Sequence, residues 1–464
     1  MKNMTLANIA QCLNSPLCRG EGKEQNLIKG AVLDSRKLSE GYLFFATRGE
    51  RADGHNFIPQ VAEKGAALVV CEEAPNVDIP YILVEDSFQA LKQVAAFYRA
   101  QLDIPVIGVT GSVGKTSTKE MIAACLGNRF QVLKTEGNFN NEVGLPLTIL
   151  SIRDCHQAAV VEMGISDFEE MHRLSAIARP DICVITNIGQ CHLENLVDRD
   201  GVLKAKTEMF DFMNPNGYVV LNGEDDKLAT VQKVHGRRPY FFGMDEDGLV
   251  TKDVYAKSVL SRGLFGSAFQ MQLFGETLDA TVPLPGRHMV MNAMAAAAVG
   301  HILGMSSKEI LDGIASVKAT GGRSNIVALP DKTIIDDCYN ANPASMRSAI
   351  DLLKMAEGPK TVILGDMFEL GAEERLLHLE IGHYTALARL EEMIFIGTLA
   401  REMYNGAVKL RAVPAYYPDK ESFFMAHKPE DFVGKTVLVK ASHGMHFEEI
   451  VGWLKETEAT KDRR

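Results

Sequence analysis

A chain of 464 residues, 46% of them apolar, holds enough material for about three domains with cores of their own, which excludes a disordered protein. A formal net charge of −11 excludes a broad nucleic-acid surface, so any anionic ligand must be held by a few Lys, Arg or backbone N–H groups. The eight cysteines form no C-x-x-C pair, leaving no zinc or redox motif; they read as small buried apolar residues of a reducing compartment.

Taken in chain order, residues 1–16 lack the apolar core and cleavage pattern of a signal peptide. No run nears the roughly 18 apolar residues that a membrane helix needs, so a soluble, cytoplasmic protein is expected. The first hundred residues mix short strand-like runs (31–33, 42–45) with one clear helix over about 88–101. The apolar strand 106–110 follows Pro105, and from there to about 317 strand and helix alternate. Residues 158–161, 182–185 and 218–221 are continuous apolar runs that fit parallel strands buried on both faces. Helices are expected near 115–126, 168–178 and 202–212, an antiparallel stretch over 264–283, and an alanine-rich helix over about 289–303. Gly321-Gly322 reads as a linker. Beyond it come strand 333–335, helix 345–355, strand 362–364, a helix near 372–390, strand 394–396, strand 436–439 and helix 447–454. The expectation is an α/β protein of three domains. They are a small α/β N-terminal domain (1–102), a central domain with a P-loop-type doubly wound, mostly parallel sheet (103–321), and a Rossmann-like C-terminal α/β domain (322–464).

Strand 106–110 runs straight into Gly111-Ser112-Val113-Gly114-Lys115-Thr116, and Ser117 continues into a helix. Glycines let successive N–H groups turn inward onto phosphate oxygens. The helix N-terminus adds its dipole, Lys115 a charge, and Thr116 a hydroxyl able to ligate magnesium. The spacing is the short T-G-x-x-G-K-T form, with Val109 where the general pattern has glycine. Binding of ATP or GTP is expected.

Glu162 closes the apolar strand 158–161, at the sheet edge where ligands collect in doubly wound folds, and could hold magnesium. His192 follows another strand end; a loop histidine is either a ligand or a hydrogen-bonding surface residue. Placed on a helix, Val202, Ala205, Met209 and Phe210 cover one face with Lys206 in their midst. Two readings stand open there. The side chain snorkels to water, or it is buried as a neutral amine that takes up carbon dioxide and becomes a carbamate able to hold metal.

These residues together resemble the Mur ligase family over essentially the whole chain. The blocks that carry the resemblance are Asp34-Ser35-Arg36, Asp53-Gly54-His55, the phosphate loop, Gly137-Asn138-Phe139-Asn140-Asn141-Glu142 and Glu162-Met163-Gly164. Further on are Ile185-Thr186-Asn187-Ile188-Gly189, Ala205-Lys206, Gly322-Arg323, Asp337-Cys338-Tyr339-Asn340-Ala341-Asn342-Pro343 and Gly365-Asp366-Met367-Phe368-Glu369-Leu370-Gly371. The Asn-Phe-Asn-Asn and Tyr-Asn-Ala-Asn-Pro blocks look like the dipeptide-adding branch. The Asp-Asn-Pro-Arg run of the branch that adds the third amino acid is absent.

The resemblance implies an ATP-dependent amide ligase of peptidoglycan precursor synthesis, adding D-alanyl-D-alanine to UDP-N-acetylmuramoyl-tripeptide through an acyl phosphate. A monomer is expected, with no nucleic-acid partner and no membrane span. The N-terminal domain would bind the UDP end through Ser35 and Arg36, which otherwise read as a turn with a surface arginine. Gly111, Ser112, Gly114, Lys115, Thr116 and Ser117 would hold the phosphates, and Asn292 would lie against the adenine. Glu162, His192 and carbamylated Lys206, with Thr116, would hold two Mg²⁺ ions; with Lys115 they form the candidate catalytic set. Arg323 would reach the phosphates and Asp337 the ribose, unless both are interdomain salt-bridge partners. Asn138, Asn140, Asn141, Tyr339, Asn340 and Asn342 would contact the substrates, unless the last three merely shape the start of helix 345–355.

Where the family commonly has Lys-Gly-Ser-Arg, this chain has Lys440-Ala441-Ser442-His443, which loses a permanent forked charge. Two rival readings remain at this level: another ATP-dependent ligase, such as a folate–glutamate or cyanophycin-type enzyme, and a non-catalytic nucleotide-binding module.

Overall fold

The computed structural model describes residues 1–49, 52–245, 248–318 and 325–456. Their strands form three sheets in chain order, one for each expected domain. In the N-terminal sheet Gly30–Val32, Tyr42–Phe45, Leu68–Cys71 and Tyr81–Leu83 run parallel, with Leu17–Cys18 added antiparallel at one edge. Two helices that the sequence pattern did not reveal, Leu6–Cys12 and Ile58–Glu63, join the expected one, which spans Ser87–Arg99. Asp86 caps that helix by accepting the N–H groups of Phe88 and Gln89.

The central sheet has nine strands. Val132–Lys134, Ala158–Glu162, Val106–Thr110, Ile182–Ile185, Tyr218–Asn222, Tyr240–Met244 and Val254–Ser261 lie side by side in parallel. Ser267–Leu273 and Glu276–Val282 follow antiparallel, as the alternation over 264–283 leads one to expect. The continuous apolar runs feed two cores because successive side chains point to opposite faces. Val161, Cys183 and Ile185 enter one core, and Val160, Ile182 and Val184 the other. The alanine-rich helix Arg287–Ile302 packs on the second face beside the helix Lys115–Gly127; its small side chains permit that close approach.

The first core continues without a break into the N-terminal domain, where Leu43, Leu91 and Val94 belong to it. Arg99 fastens the junction. Its guanidinium donates to the carbonyls of Ala178 (2.8 Å) and Arg179 (2.9 Å) and to Asp181 (2.9 Å).

The C-terminal sheet runs Asn325–Ala328, Thr333–Asp336, Thr436–Lys440, Lys360–Gly365, Glu392–Ile396, Ala415–Tyr417, parallel except for the first pair. It too has a core on each face. The helices Ala400–Lys409 and Lys420–Ala426 and the strand Ala415–Tyr417 were not foreseen. Helix 202–212 is a helix over Arg199–Thr207 closed by a 3₁₀ turn, Glu208–Phe210. All eight cysteines are free; Cys71, Cys125, Cys183 and Cys338 are buried as expected, whereas Cys155 is exposed. No helix among the described residues is long and apolar enough to cross a membrane.

Candidate active site

The phosphate loop sits at the C-terminal edge of the central sheet, between Val106–Thr110 and Lys115–Gly127. Gly111 has φ +151°, and a Cβ there would lie 1.9 Å from the Thr186 hydroxyl, so only glycine fits. Gly114 turns into the helix at φ +80°. The neighbouring strand end clamps the loop. The Thr186 hydroxyl and the Asn187 amide both donate to the Val113 carbonyl, and Asn187 Oδ1 accepts the Val113 N–H. Lys115 Nζ rests on the Gly111 carbonyl at 2.9 Å.

Parallel register sets Glu162 beside Val109, one residue short of the loop. Its carboxylate is buried and held from both sides. Thr116 donates its hydroxyl to Oε2 at 2.7 Å, and the Asn140 amide donates to Oε1 at 2.9 Å. Buried Lys119 stands 3.9 Å from Oε2 and donates to the Thr135 carbonyl, while the Thr135 hydroxyl accepts the Glu162 N–H. Lys119, Thr135 and the Thr186–Asn187 clamp were missed. The only signal for Lys119 was its place one helical turn after Lys115.

Lys206 does not snorkel. It is 1% exposed, and burial, reinforced by the nearby Lys115 charge, pushes its pKa down to about 7. His192 is pushed down to about 4, first by burial and then by the charges of Lys206 and Lys115. It is therefore a neutral imidazole with a free lone pair at neutral pH. Its Nδ1 lies 3.5 Å from Oε2 of Glu369, which belongs to the C-terminal domain.

A cavity of about 1380 Å³ joins these groups to the C-terminal domain. Ser112, Gly114, Lys115, Ser117, Glu162, His192 and Asn292 face it from the central domain, with Asn138, Asn140 and Asn141. Asp337, Tyr339, Asn340 and Asn342 face it from the other side. Gly111, Thr116 and Lys206 lie behind the wall. Ser35 and Arg36 lie away from it. Ser35 is buried, with Lys64 donating to its carbonyl, and Arg36 is exposed and forked onto Asp34, whose pKa its hydrogen bonds hold down to about 2. The N-terminal domain still touches the site edge, through Lys37 over the Phe139 ring at 5.6 Å.

Asn292 accepts the Thr118 hydroxyl on its Oδ1 at 2.9 Å. Asp337 pairs with Lys440 at 2.6 Å within its own domain. Asn342 caps the helix Pro343–Lys354, and Lys440 donates to the Asn340 carbonyl. Tyr339 leans on His443, ring centroids 5.5 Å apart. Arg323 lies outside the described residues, as does the Gly321-Gly322 linker. Among the described residues no cluster of three His, Cys, Asp or Glu side chains is arranged to hold a metal.

A phosphate loop on a parallel sheet, a buried acid and lysine beside it, and a second α/β domain across one cavity define a nucleotide-using protein with its site between domains. Sequence profiles agree: "Mur ligase family, catalytic domain" matches residues 27–130, "Mur ligase middle domain" 109–300, and "Mur ligase, glutamate ligase domain" 322–443. The UDP-N-acetylmuramoyl-tripeptide–D-alanyl-D-alanine ligase of Bacillus subtilis is 37% identical, covering 98% of this chain and 99% of its own; that of Escherichia coli is 32% identical with the same coverage. The crystal structure of MurF from Acinetobacter baumannii superposes with a TM-score of 0.87 at 31% identity, over 98% of this chain and 99% of that one. MurF from Thermotoga maritima in complex with ADP gives 0.79 at 28% identity, over 94% and 98%. A folylpolyglutamate synthase of Mycobacterium tuberculosis, 16% identical, shares the fold at 0.63. The chain belongs to the Mur ligase family. It is an ATP-dependent ligase.

Proposed function

We propose that the chain joins D-alanyl-D-alanine to UDP-N-acetylmuramoyl-tripeptide at the expense of ATP, a step of peptidoglycan precursor synthesis in the cytoplasm. The names of its B. subtilis and E. coli relatives support the substrates. One observation carries the chemistry: the phosphate loop, Glu162, the Asn138–Asn141 segment and Tyr339-Asn340-Asn342 all face a single cavity. We take residues 1–102 as the UDP-substrate domain, 103–321 as the ATP domain and 322–464 as the domain that covers the nucleotide.

In this reading the loop N–H groups and Lys115 hold the ATP phosphates, with Ser112 and Ser117 beside them. Lys115 leaves the Gly111 carbonyl for a phosphate oxygen. Asn292 meets the adenine, Asp337 the ribose, and Arg323 a phosphate. The tripeptide carboxylate attacks the γ-phosphorus, ADP departs, and an acyl phosphate remains. The dipeptide amine then attacks the acyl carbon, and inorganic phosphate leaves with the bonding electrons. Asn138, Asn141 and Tyr339 orient the two reactants, and Ser35 and Arg36 hold the UDP end. The cavity excludes bulk water from the acyl phosphate.

The residues fit magnesium. The Thr116 hydroxyl and the Glu162 carboxylate converge at 2.7 Å as hard oxygen donors, and His192 is neutral. Lys206, buried with its pKa near 7, supports the carbamate reading, because a neutral amine is the form that captures carbon dioxide. Thr116, Glu162, His192 and carbamylated Lys206 would hold two Mg²⁺ ions, which when bound offset charge on the transferring phosphoryl group. The test is isotope transfer: oxygen-18 in the tripeptide carboxylate should appear in the released phosphate. Its absence from phosphate contradicts the acyl-phosphate route.

A further inference from the structure

The segment 365–371 of the C-terminal domain has no role in the reaction as described above, yet its base is built with care. Asp366 accepts the Ala400 N–H on its carboxylate and the Ser442 N–H on its carbonyl. The Met367 N–H donates to His378 Nε2 at 2.9 Å, and the Phe368 N–H donates to Ser442 Oγ at 2.8 Å. The next residue, Glu369, adopts φ +61°, a left-handed conformation that side chains other than Gly, Asn and Asp seldom take. It projects from this anchored base to Nδ1 of His192, itself at φ +51° on the central domain. Glu369 is largely exposed and His192 partly buried, and a pair at 3.5 Å with one member in water adds little to stability.

We propose that Glu369 is a positioning residue that the C-terminal domain lends to the metal site. Its carboxylate takes the Nδ1–H of His192 and so fixes the tautomer that leaves the Nε2 lone pair free for a ligand. Carboxylates commonly hold the second ring nitrogen of a metal-binding histidine in this way. At 3.5 Å the contact is loose, as catalytic-site contacts often are before ligands bind. Because the two residues sit on different domains, the histidine is set only when the domains meet in this arrangement. The inference rests on His192 being a metal ligand.

The test uses the full chain with ¹⁵N-labelled histidine, free of metal and nucleotide, with H192Q identifying the ring signals. The wild type should show His192 protonated at Nδ1 and bare at Nε2. E369A should shift it towards the Nε2–H form, whereas E369Q, whose amide oxygen can still accept, should keep the wild-type form. An unchanged tautomer in E369A overturns the proposal. In turnover, E369A should raise the Mg²⁺ needed for half-maximal rate roughly 10-fold, with kcat at saturating Mg²⁺ near wild type; an unaltered Mg²⁺ requirement also overturns it. Mn²⁺ added to the wild type should broaden the His192 signals. Sharp signals would overturn the proposal through its premise, the ligand role of His192, and the tautomer result tells that outcome apart from a failure of the positioning itself.

Discussion

The Thr116 hydroxyl and the Glu162 carboxylate, 46 residues apart in the chain, meet at 2.7 Å behind the phosphate loop. Neither is free to wander: Thr116 is fixed in the first turn of its helix, and Glu162 is also held by Asn140. A carboxylate held in place before any ligand arrives needs no reorganisation when charge develops on the phosphates.

E162Q tests that arrangement, because it keeps the shape and one acceptor but removes the charge. We expect a loss of roughly 10²–10³-fold in kcat, with little change in stability. Steady-state kinetics at saturating Mg²⁺ measure it. A variant within about threefold of wild type contradicts a metal role for Glu162.

Lys206 gives the pH dependence. Its pKa, near 7, is depressed from the usual lysine value, so the neutral amine is the minor form below pH 7 and the major form above it. Each pH unit below 7 lowers the ratio of neutral to charged amine about tenfold, so the neutral fraction falls about fivefold from pH 7 to pH 6. At fixed dissolved carbon dioxide, carbamate on Lys206 should therefore fall between pH 8 and pH 6, as read by ¹³C NMR with labelled bicarbonate. K206A should lose activity that short-chain carboxylic acids partly restore. No carbamate signal and no rescue would leave Lys206 as a buried amine only.

Much of this site was legible because burial and periodicity write themselves into sequence. The phosphate loop declared its own turn, strand 158–161 placed Glu162 at the sheet edge, and the apolar stripe around Lys206 left an amine where water does not reach. What escaped depends on contacts between distant segments. Nothing local in Asn140 says that it braces Glu162, or in Glu369 that it meets His192, since both contacts arise from strand order and domain placement. The helices Leu6–Cys12 and Ile58–Glu63 are short, with too few turns for a 3.6-residue period to show. The predicted UDP contact at Arg36 rests on its motif, since in the structure Nε and Nη2 of its exposed guanidinium donate to Asp34.

Arg99 offers a test of architecture independent of catalysis. It is buried, carries hydrogen bonds to two carbonyls of the central domain, and pairs with Asp181, which also takes the Val106 N–H. R99M takes the donor from the Ala178 and Arg179 carbonyls and the cation from Asp181, which keeps the Val106 N–H, and should destabilise the joined N-terminal and central domains by about 3 kcal/mol. Urea unfolding followed by far-UV circular dichroism reads it. A loss under about 0.5 kcal/mol would mean that the apolar core alone holds the junction.

The central claim is tested most directly by phosphate release from ATP with UDP-N-acetylmuramoyl-tripeptide, with and without D-alanyl-D-alanine. The account predicts sustained release only when both are present, with a UDP-linked pentapeptide as product. Release without the dipeptide at the same rate, or none with either a diaminopimelate- or a lysine-containing tripeptide, would contradict it.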